Sequence, residues 1–252
     1  MKKVPLFSAL SLVIPVYNEE KRIKESLEKI VRYLDDVCAE YEIIIVDDGS
    51  SDKTQDVVKE MATDRFRIIL VNENRGKGYA VKKGMLVARY EYVLFSDADL
   101  STPIEELEKF SKHIENFDII IGSRAMKDSN IEIHQPWFKE FLGRVGNKVI
   151  QFMLLPGIQD TQCGFKLFNK KSLAVFEKQT INRWGFDFEI LWLAKKMGFR
   201  IKEIPVRWIN DFGTKVSGFS HYINTFTELL KIRWNSITNK YNLQNNDRDT
   251  NI

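Results

Sequence analysis

The chain has little of the chemistry that identifies a function by composition alone. Its only two cysteines, Cys38 and Cys163, lie far apart without paired spacing. That excludes a disulfide scaffold or a zinc cluster and makes a reducing, cytosolic setting the expectation. The three histidines, His113, His134 and His221, have no spacing that suggests a metal or a catalytic pair. Charge of one sign is also scarce. Against 38 Lys+Arg stand 35 Asp+Glu, and a net charge of +3 is too small to argue for a nucleic-acid partner. No apolar run reaches the roughly 18 residues that a membrane-spanning helix needs. Pro5 and Pro15 interrupt the first 16 residues, and the stretch from Ala9 to Val16 reads as a core strand rather than as the apolar part of a signal peptide. No internal repeat is visible.

What is present is ordinary soluble material: 252 residues, 44% hydrophobic and 29% charged. The length fits one large α/β domain, or one such domain with a C-terminal extension. Apolar runs at 10–16, 42–46, 66–71, 92–95 and 118–121 predict five buried strands. Between them lie helical patterns, the first carrying Ile23, Leu27, Ile30, Val31 and Leu34, the others near 53–62, 77–89 and 104–114. Near-continuous apolar strands alternating with amphipathic helices imply a mostly parallel sheet covered on both faces. Farther on, helices are expected at 137–154, 186–197 and 219–234, and an extended stretch at 199–208. The apolar faces of 137–154 and 219–234 read as core, although Arg144, Lys148, Lys231 and Arg233 beside them also suit a membrane interface. From about Lys240 the polar, asparagine-rich tail reads as disordered.

The most informative residues are Asp97, Ala98 and Asp99, at the end of the fourth strand. Two carboxylates spaced i, i+2 at a strand end suit one hard divalent cation that shares its other positions with water and phosphate. The plainer reading, capping of the following helix, stays open for the triplet alone. Every other polar cluster also ends a strand. Pro15, Tyr17, Asn18 and Glu20 follow the first; Asp47, Asp48 and Gly49 follow the second; Gly76, Lys77 and Gly78 follow the third; and Arg124 follows the fifth. Ligands of parallel sheets bind outside those carboxyl ends, which argues for one site rather than five coincidences. Because Asp47 ends a buried strand it reads as functional, and Asp48 as turn chemistry. Gly76 and Gly78 read as backbone devices, Lys77 as equally consistent with a solvated or a functional side chain, and Cys163 as a small packing residue.

In that order and spacing these motifs resemble the family 2 glycosyltransferases with a GT-A fold. The second half, with the motif 160–166 and with Arg183, Trp184, Gly185, Phe186 and Asp187, is similar to dolichyl-phosphate β-glucosyltransferases and more distantly to dolichol-phosphate mannose synthases. The resemblance implies a single GT-A domain over 8–235, with a nucleotide-binding half at 8–124 and an acceptor-binding half at 125–235. It implies inverting, metal-dependent transfer of glucose from UDP-glucose to a polyprenyl (dolichyl) phosphate. GDP-mannose or UDP-GlcNAc as donor, or a non-lipid acceptor, are the alternatives. By the same resemblance Pro15, Tyr17, Asn18, Glu20, Asp47, Lys77, Ala98, Arg124 and Lys215 bind the nucleotide sugar, and Asp97 and Asp99 hold Mg²⁺ or Mn²⁺. Arg144 meets the acceptor phosphate, and Asp160 lies near the sugar. Ser101 stands where mannose synthases often have a glutamine ligand, so a third protein ligand is not implied. An acceptor lipid implies peripheral attachment to the cytoplasmic face of a membrane. A pyrophosphorylase would need a glycine-rich loop after the first strand, and a phosphatase would need its acids there; neither is present. A silent scaffold would be expected to have lost Asp97, Asp99 or Asp160, and all three remain.

Overall fold

Side chains alternate across a strand, so a strand that is apolar at every position must be covered on both sides. The computed structural model shows that arrangement over the residues it describes, 5–132, 137–209 and 219–243. Seven strands form one sheet: β1 (Phe7–Val16), β2 (Cys38–Asp47), β3 (Phe66–Leu70), β4 (Tyr92–Ser96), β5 (Ile119–Ser123), β7 (Phe165–Asn169) and β8 (Ile201–Pro205). A two-stranded piece pairs β6 (Asn130–Ile131) with β9 (Arg207–Trp208). Leu12, Ile14, Ile43, Ile45, Leu94 and Ile120 point to one face. There they meet Leu27 and Ile30 of α1 (Ile23–Val37), Val58 of α2 (Thr54–Glu60), and Leu107 and Phe110 of α4 (Leu107–Ser111). Val13, Ile44, Val46, Val93, Phe95 and Ile121 point to the other face. Their cover comes from α3 (Lys77–Val87), α6 (Ala174–Lys178), α7 (Phe186–Lys196) and α8 (Phe219–Ile237).

The strand order is β3-β2-β1-β4-β7-β5-β8, so strands from both halves of the sequence share the sheet. From β1 the chain winds to β2 and β3 on one side and crosses to β4 on the other, which opens a crevice at the carboxyl ends. All pairs are parallel except those of β7, which runs antiparallel to β4 and β5. β7 was not expected from the sequence, because Lys166 breaks its apolar run. Its direction matters: the loop before it, residues 160–164, arrives at the same edge as the carboxyl ends of β1, β2, β4 and β5.

Three expectations are corrected. The helix expected at 104–114 is a 3₁₀ turn, Ile104–Glu106, followed by the short α4. Of the tail read as disordered, residues 240–243 are packed: the Tyr241 ring is buried against Trp192, and its hydroxyl donates to Glu189 Oε1 at 2.7 Å; the rest of the tail lies outside the described residues. The apolar stripes of α5 (Trp137–Met153) and α8 are not wholly core. On α5, Val145, Val149 and Phe152 face outward while Ile150 is buried. On α8, Phe226, Leu230, Trp234 and Ile237 face outward, and Leu229, Ile232 and Asn235 make the buried side. Two stripes therefore coexist on each helix, and periodicity alone cannot say which one a neighbour covers.

Candidate active site

The crevice begins with two laced loops. After β1, Asn18 takes a positive φ of 54°. Its N–H donates to Ser50 Oγ at 2.9 Å, and its Oδ1 accepts from Ser51 N at 2.8 Å. Glu19 N donates to Thr54 Oγ1 at 2.7 Å, and Glu20 Oε2 accepts from Lys53 N at 2.9 Å. These contacts employ Asn18 and Glu20 in holding the first loop on the second. Pro15 forms the strand end, and Tyr17 remains 38% exposed at the rim.

The turn chemistry expected of Asp48 falls instead to Asp47, at the end of β2. Asp47 makes the turn: its Oδ1 accepts from Gly49 N, Ser50 N and Gln55 Nε2 at 3.2, 3.0 and 2.9 Å. Its Oδ2 is buried without a hydrogen-bond partner, an acceptor that costs free energy until a donor meets it. Asp48 makes no turn. Its carboxylate accepts from Arg75 N at 3.0 Å and Gly76 N at 2.7 Å, fixing the entry to α3. Gly76 sits there at φ +107°, where an added Cβ would stand 2.5 Å from the Asn182 carbonyl.

At the end of β4 the two acids differ. Asp97 lies 2.6 Å from Lys77 Nζ, on the first residue of α3, so Lys77 is an ion-pairing member of the site rather than a solvated side chain. Burial alone would lower the Lys77 ammonium, but the Asp97 charge, then that of Asp187, raises it. The backbone at Gly164 presses on the Asp97 carboxylate so closely that a Cβ there would stand 1.9 Å from Oδ2. Ala98 is buried between the acids. Asp99 Oδ1 accepts from Ser101 N at 2.9 Å. Burial, and then the neighbouring Asp97 charge, push the Asp99 carboxyl up. Two crowded carboxylates of this kind suit a hard cation. Among the described residues no three His, Cys, Asp or Glu side chains gather into a complete metal cage. A bound Mg²⁺ or Mn²⁺ would draw its other oxygens from phosphate and water.

Across the crevice Arg124, expected at the nucleotide sugar, is paired with Asp160. Its Nε and Nη2 donate to Asp160 at 2.7 and 3.0 Å, and its backbone N adds a bond of 2.9 Å. Burial pushes the Asp160 carboxyl up, but the Arg124 charge and hydrogen bonds more than reverse that and hold it below the usual carboxylate range. The Asp160 and Gln159 N–H groups both donate to Glu203 at 2.8 Å, anchoring the loop to β8. Cys163 is buried, its thiol pushed up to about 11 by burial and then by Asp160, as suits a packing residue. Arg144 lies on α5, but its side chain is outside the described residues, as is Lys215 altogether. The sequence reading gave no individual role to Lys166, Gly164 or Trp184, though its motifs contain them, and overlooked Glu203. The one signal for Lys166 was a lysine set between Phe165 and Leu167.

Comparison with known proteins gives this site its class. Glucosyl-3-phosphoglycerate synthase from Mycobacterium tuberculosis, solved with Mn²⁺, uridine-diphosphate and phosphoglyceric acid, superposes with a TM-score of 0.65 at 15% identity, over 90% of this chain and 77% of that one. The fold is thus that of a GT-A glycosyltransferase. The chain belongs to glycosyl transferase family 2, whose profile matches residues 11–176. It is 35% identical over 252 residues to a dolichyl-phosphate beta-glucosyltransferase of Mus musculus, covering 93% of this chain and 78% of the mouse protein. It is 40% identical over 237 residues to dolichyl-phosphate beta-glucosyltransferase ALG5A of Trichomonas vaginalis, covering 88% and 72%. The protein is a glycosyltransferase, and among the described residues no helix is long and apolar enough to cross a membrane.

Proposed function

We propose that the protein transfers glucose from UDP-glucose to a polyprenyl (dolichyl) phosphate, with inversion, at the cytoplasmic face of a membrane. The observation that carries this reading is the pair Asp97 and Asp99 at the switch point, facing the loop that holds Asp160. The relatives named dolichyl-phosphate beta-glucosyltransferases support glucose and a dolichyl phosphate acceptor. Asp47 supports the base: one unpartnered carboxylate oxygen suits the single ring N–H of uracil, whereas guanine presents two adjacent donors. Asp97 and Asp99 would hold Mg²⁺ or Mn²⁺, which would neutralise charge developing on the departing diphosphate. Lys77, released from Asp97, adds an ammonium on the same side.

The acceptor is itself a phosphate oxygen, ionised near neutral pH, so a strong general base is dispensable. Asp160 fits that requirement. Held ionised and bonded by Arg124, it orients the acceptor or a sugar hydroxyl rather than taking a proton. With no second nucleophile assigned, a single displacement converts an α-linked donor to a β-linked product. Arg144 and Lys215 remain our candidates for the acceptor phosphate and for the donor phosphates. The outward apolar residues of α5 and α8, flanked by exposed Lys148, Lys231 and Arg233, support docking on a membrane surface. Both cysteines are free and buried, in keeping with the reducing side of that membrane.

The test is incubation with labelled UDP-Glc, UDP-GlcNAc, UDP-Gal or GDP-Man, dolichyl phosphate and Mg²⁺. Labelled lipid from UDP-Glc with a β-linkage is expected. A lipid product from GDP-Man alone would overturn the donor assignment, and no labelled lipid from any donor would overturn the acceptor.

A further inference from the structure

Lys166 and Asp187 have no part in the reaction as described, yet their side chains are only 0% and 3% exposed, the most buried ion pair among the described residues. Lys166 lies on β7 directly opposite Phe95 of β4, two residues before Asp97. Its ammonium donates to Asp187 Oδ1, in the first turn of α7, and to the Cys163 carbonyl at 2.6 Å. Such a pair is a weak source of stability, because desolvating two ions offsets most of their attraction and an apolar replacement is often as stable.

Its surroundings point to another task. The Phe95 ring has two ammonium groups near it, Lys166 Nζ at 5.7 Å and Lys77 Nζ at 5.4 Å from its centroid. Lys77 also lies 5.5 Å from the centroid of the Trp184 ring, three residues before Asp187, and 2.6 Å from Asp97. Positive and negative groups therefore alternate from Lys166 through Asp187 and Lys77 to Asp97. Only Asp97 bears more strongly than Asp187 on the Lys77 charge. The chain of charges joins β7 and α7, from the second half of the sequence, to the acids of the first half.

We infer that Lys166 and Asp187 are positioning residues: their buried pair sets where the Lys77 ammonium stands between Asp97 and the donor diphosphate. This rests on the nucleotide-sugar reading above. While Lys77 rests on Asp97, it shields that carboxylate from a cation. When a metal–diphosphate arrives, the ammonium must turn from one anion to the other within a fixed cage. Asp187 is the fixed negative charge of that cage, and Lys166 holds it in place. Removing the pair leaves Lys77 without its second counter-charge and strengthens its hold on Asp97.

Calorimetry with Mn·UDP, beside glucosyl transfer, tests this on the full chain. The variant Lys166→Met/Asp187→Leu is expected to melt within a few degrees of wild type and to bind Mn·UDP about tenfold more weakly. Its KM for the acceptor should stay unchanged. That loss is expected to disappear in a Lys77→Met background, because the pair acts through Lys77. Wild-type affinity in the folded variant, or an undiminished loss in the Lys77→Met background, would overturn the positioning role. If the apolar variant does not fold, Asp187→Asn carries the same cycle to the same decision. If wild-type protein binds no Mn·UDP, the donor reading fails and the positioning role with it. If wild type binds and the variants match it, the positioning role alone fails.

Discussion

Replacing Arg124 by methionine separates the charge of the Arg124–Asp160 pair from the shape of the site. Asp160 is 4% exposed. Without the guanidinium it keeps only the N–H bonds from Arg124 at 2.9 Å and Gln162 at 3.2 Å. Breaking a buried pair costs about 3–5 kcal/mol. The Arg124 side chain is 33% exposed, so solvent screening and the surviving bonds bring the estimate to about 2–3 kcal/mol. For a chain of this size that lowers Tm by about 5–10 °C. The pH dependence follows from the direction of each shift. In wild type the Asp160 carboxyl lies below its ordinary value. Its contribution is therefore complete above the unfolded value of about 3.9 and is lost as pH falls through the lower folded value. In Arg124→Met, burial acts without its counterweight and raises that carboxyl above the unfolded value. The penalty is then largest near neutral pH and is relieved as pH falls through the raised value. Circular-dichroism melts from pH 7.5 to pH 5 should show the gap between the two proteins narrowing. The companion Arg124→Met/Asp160→Asn should recover much of the lost Tm and still fail in glucosyl transfer. A gap that stays constant with pH, or a variant melting within about 1 °C of wild type, would refute the coupling.

Asp99→Ala should abolish transfer and Mn²⁺-dependent UDP binding; full activity in the labelled-donor assay would remove Asp99 from the metal site. Gly164→Ala places a Cβ 1.9 Å from Asp97 Oδ2, a clash that a side-chain swing relieves at about 1 kcal/mol of stability. Activity should fall far more than that, because the displaced carboxylate leaves both Lys77 and the cation. A melting loss without a rate loss would contradict this. Phe152 and Trp234 are 91% and 67% exposed, and inserting either into a bilayer interface contributes about 1–2 kcal/mol. Phe152→Ser and Trp234→Ser should therefore each weaken sedimentation with anionic vesicles by about fivefold to thirtyfold. Transfer to a short, water-soluble polyprenyl phosphate should be unaffected, and unchanged sedimentation would remove these helices from the membrane contact.

The amino-acid sequence by itself determined what is local or periodic. Apolar runs placed β1 to β5, and helical spacing placed α1, α5, α7 and α8 to within a few residues. The rule that ligands gather at the carboxyl ends of parallel strands then brought Asp47, Lys77, Asp97 and Arg124 to one edge before any coordinates. Tertiary structure decided the partners. Lys77 stays open between a solvated and a functional side chain until α3 is packed beside β4, and Arg124 reads as a nucleotide-sugar contact alone until the loop before β7 returns to meet it. Asp47 and Asp48 are adjacent and alike, and only the position of the 75–76 backbone assigns one to the turn and the other to α3. β7 escaped notice because its buried lysine needs an ion partner 21 residues away. The outward stripes of α5 and α8 escaped it because amphipathicity measures how apolar a face is, not what covers it. Backbone geometry and hydrophobic period act between neighbours in sequence, whereas charge pairing and burial act between neighbours in space, so the first are legible in the chain and the second appear only once it has folded.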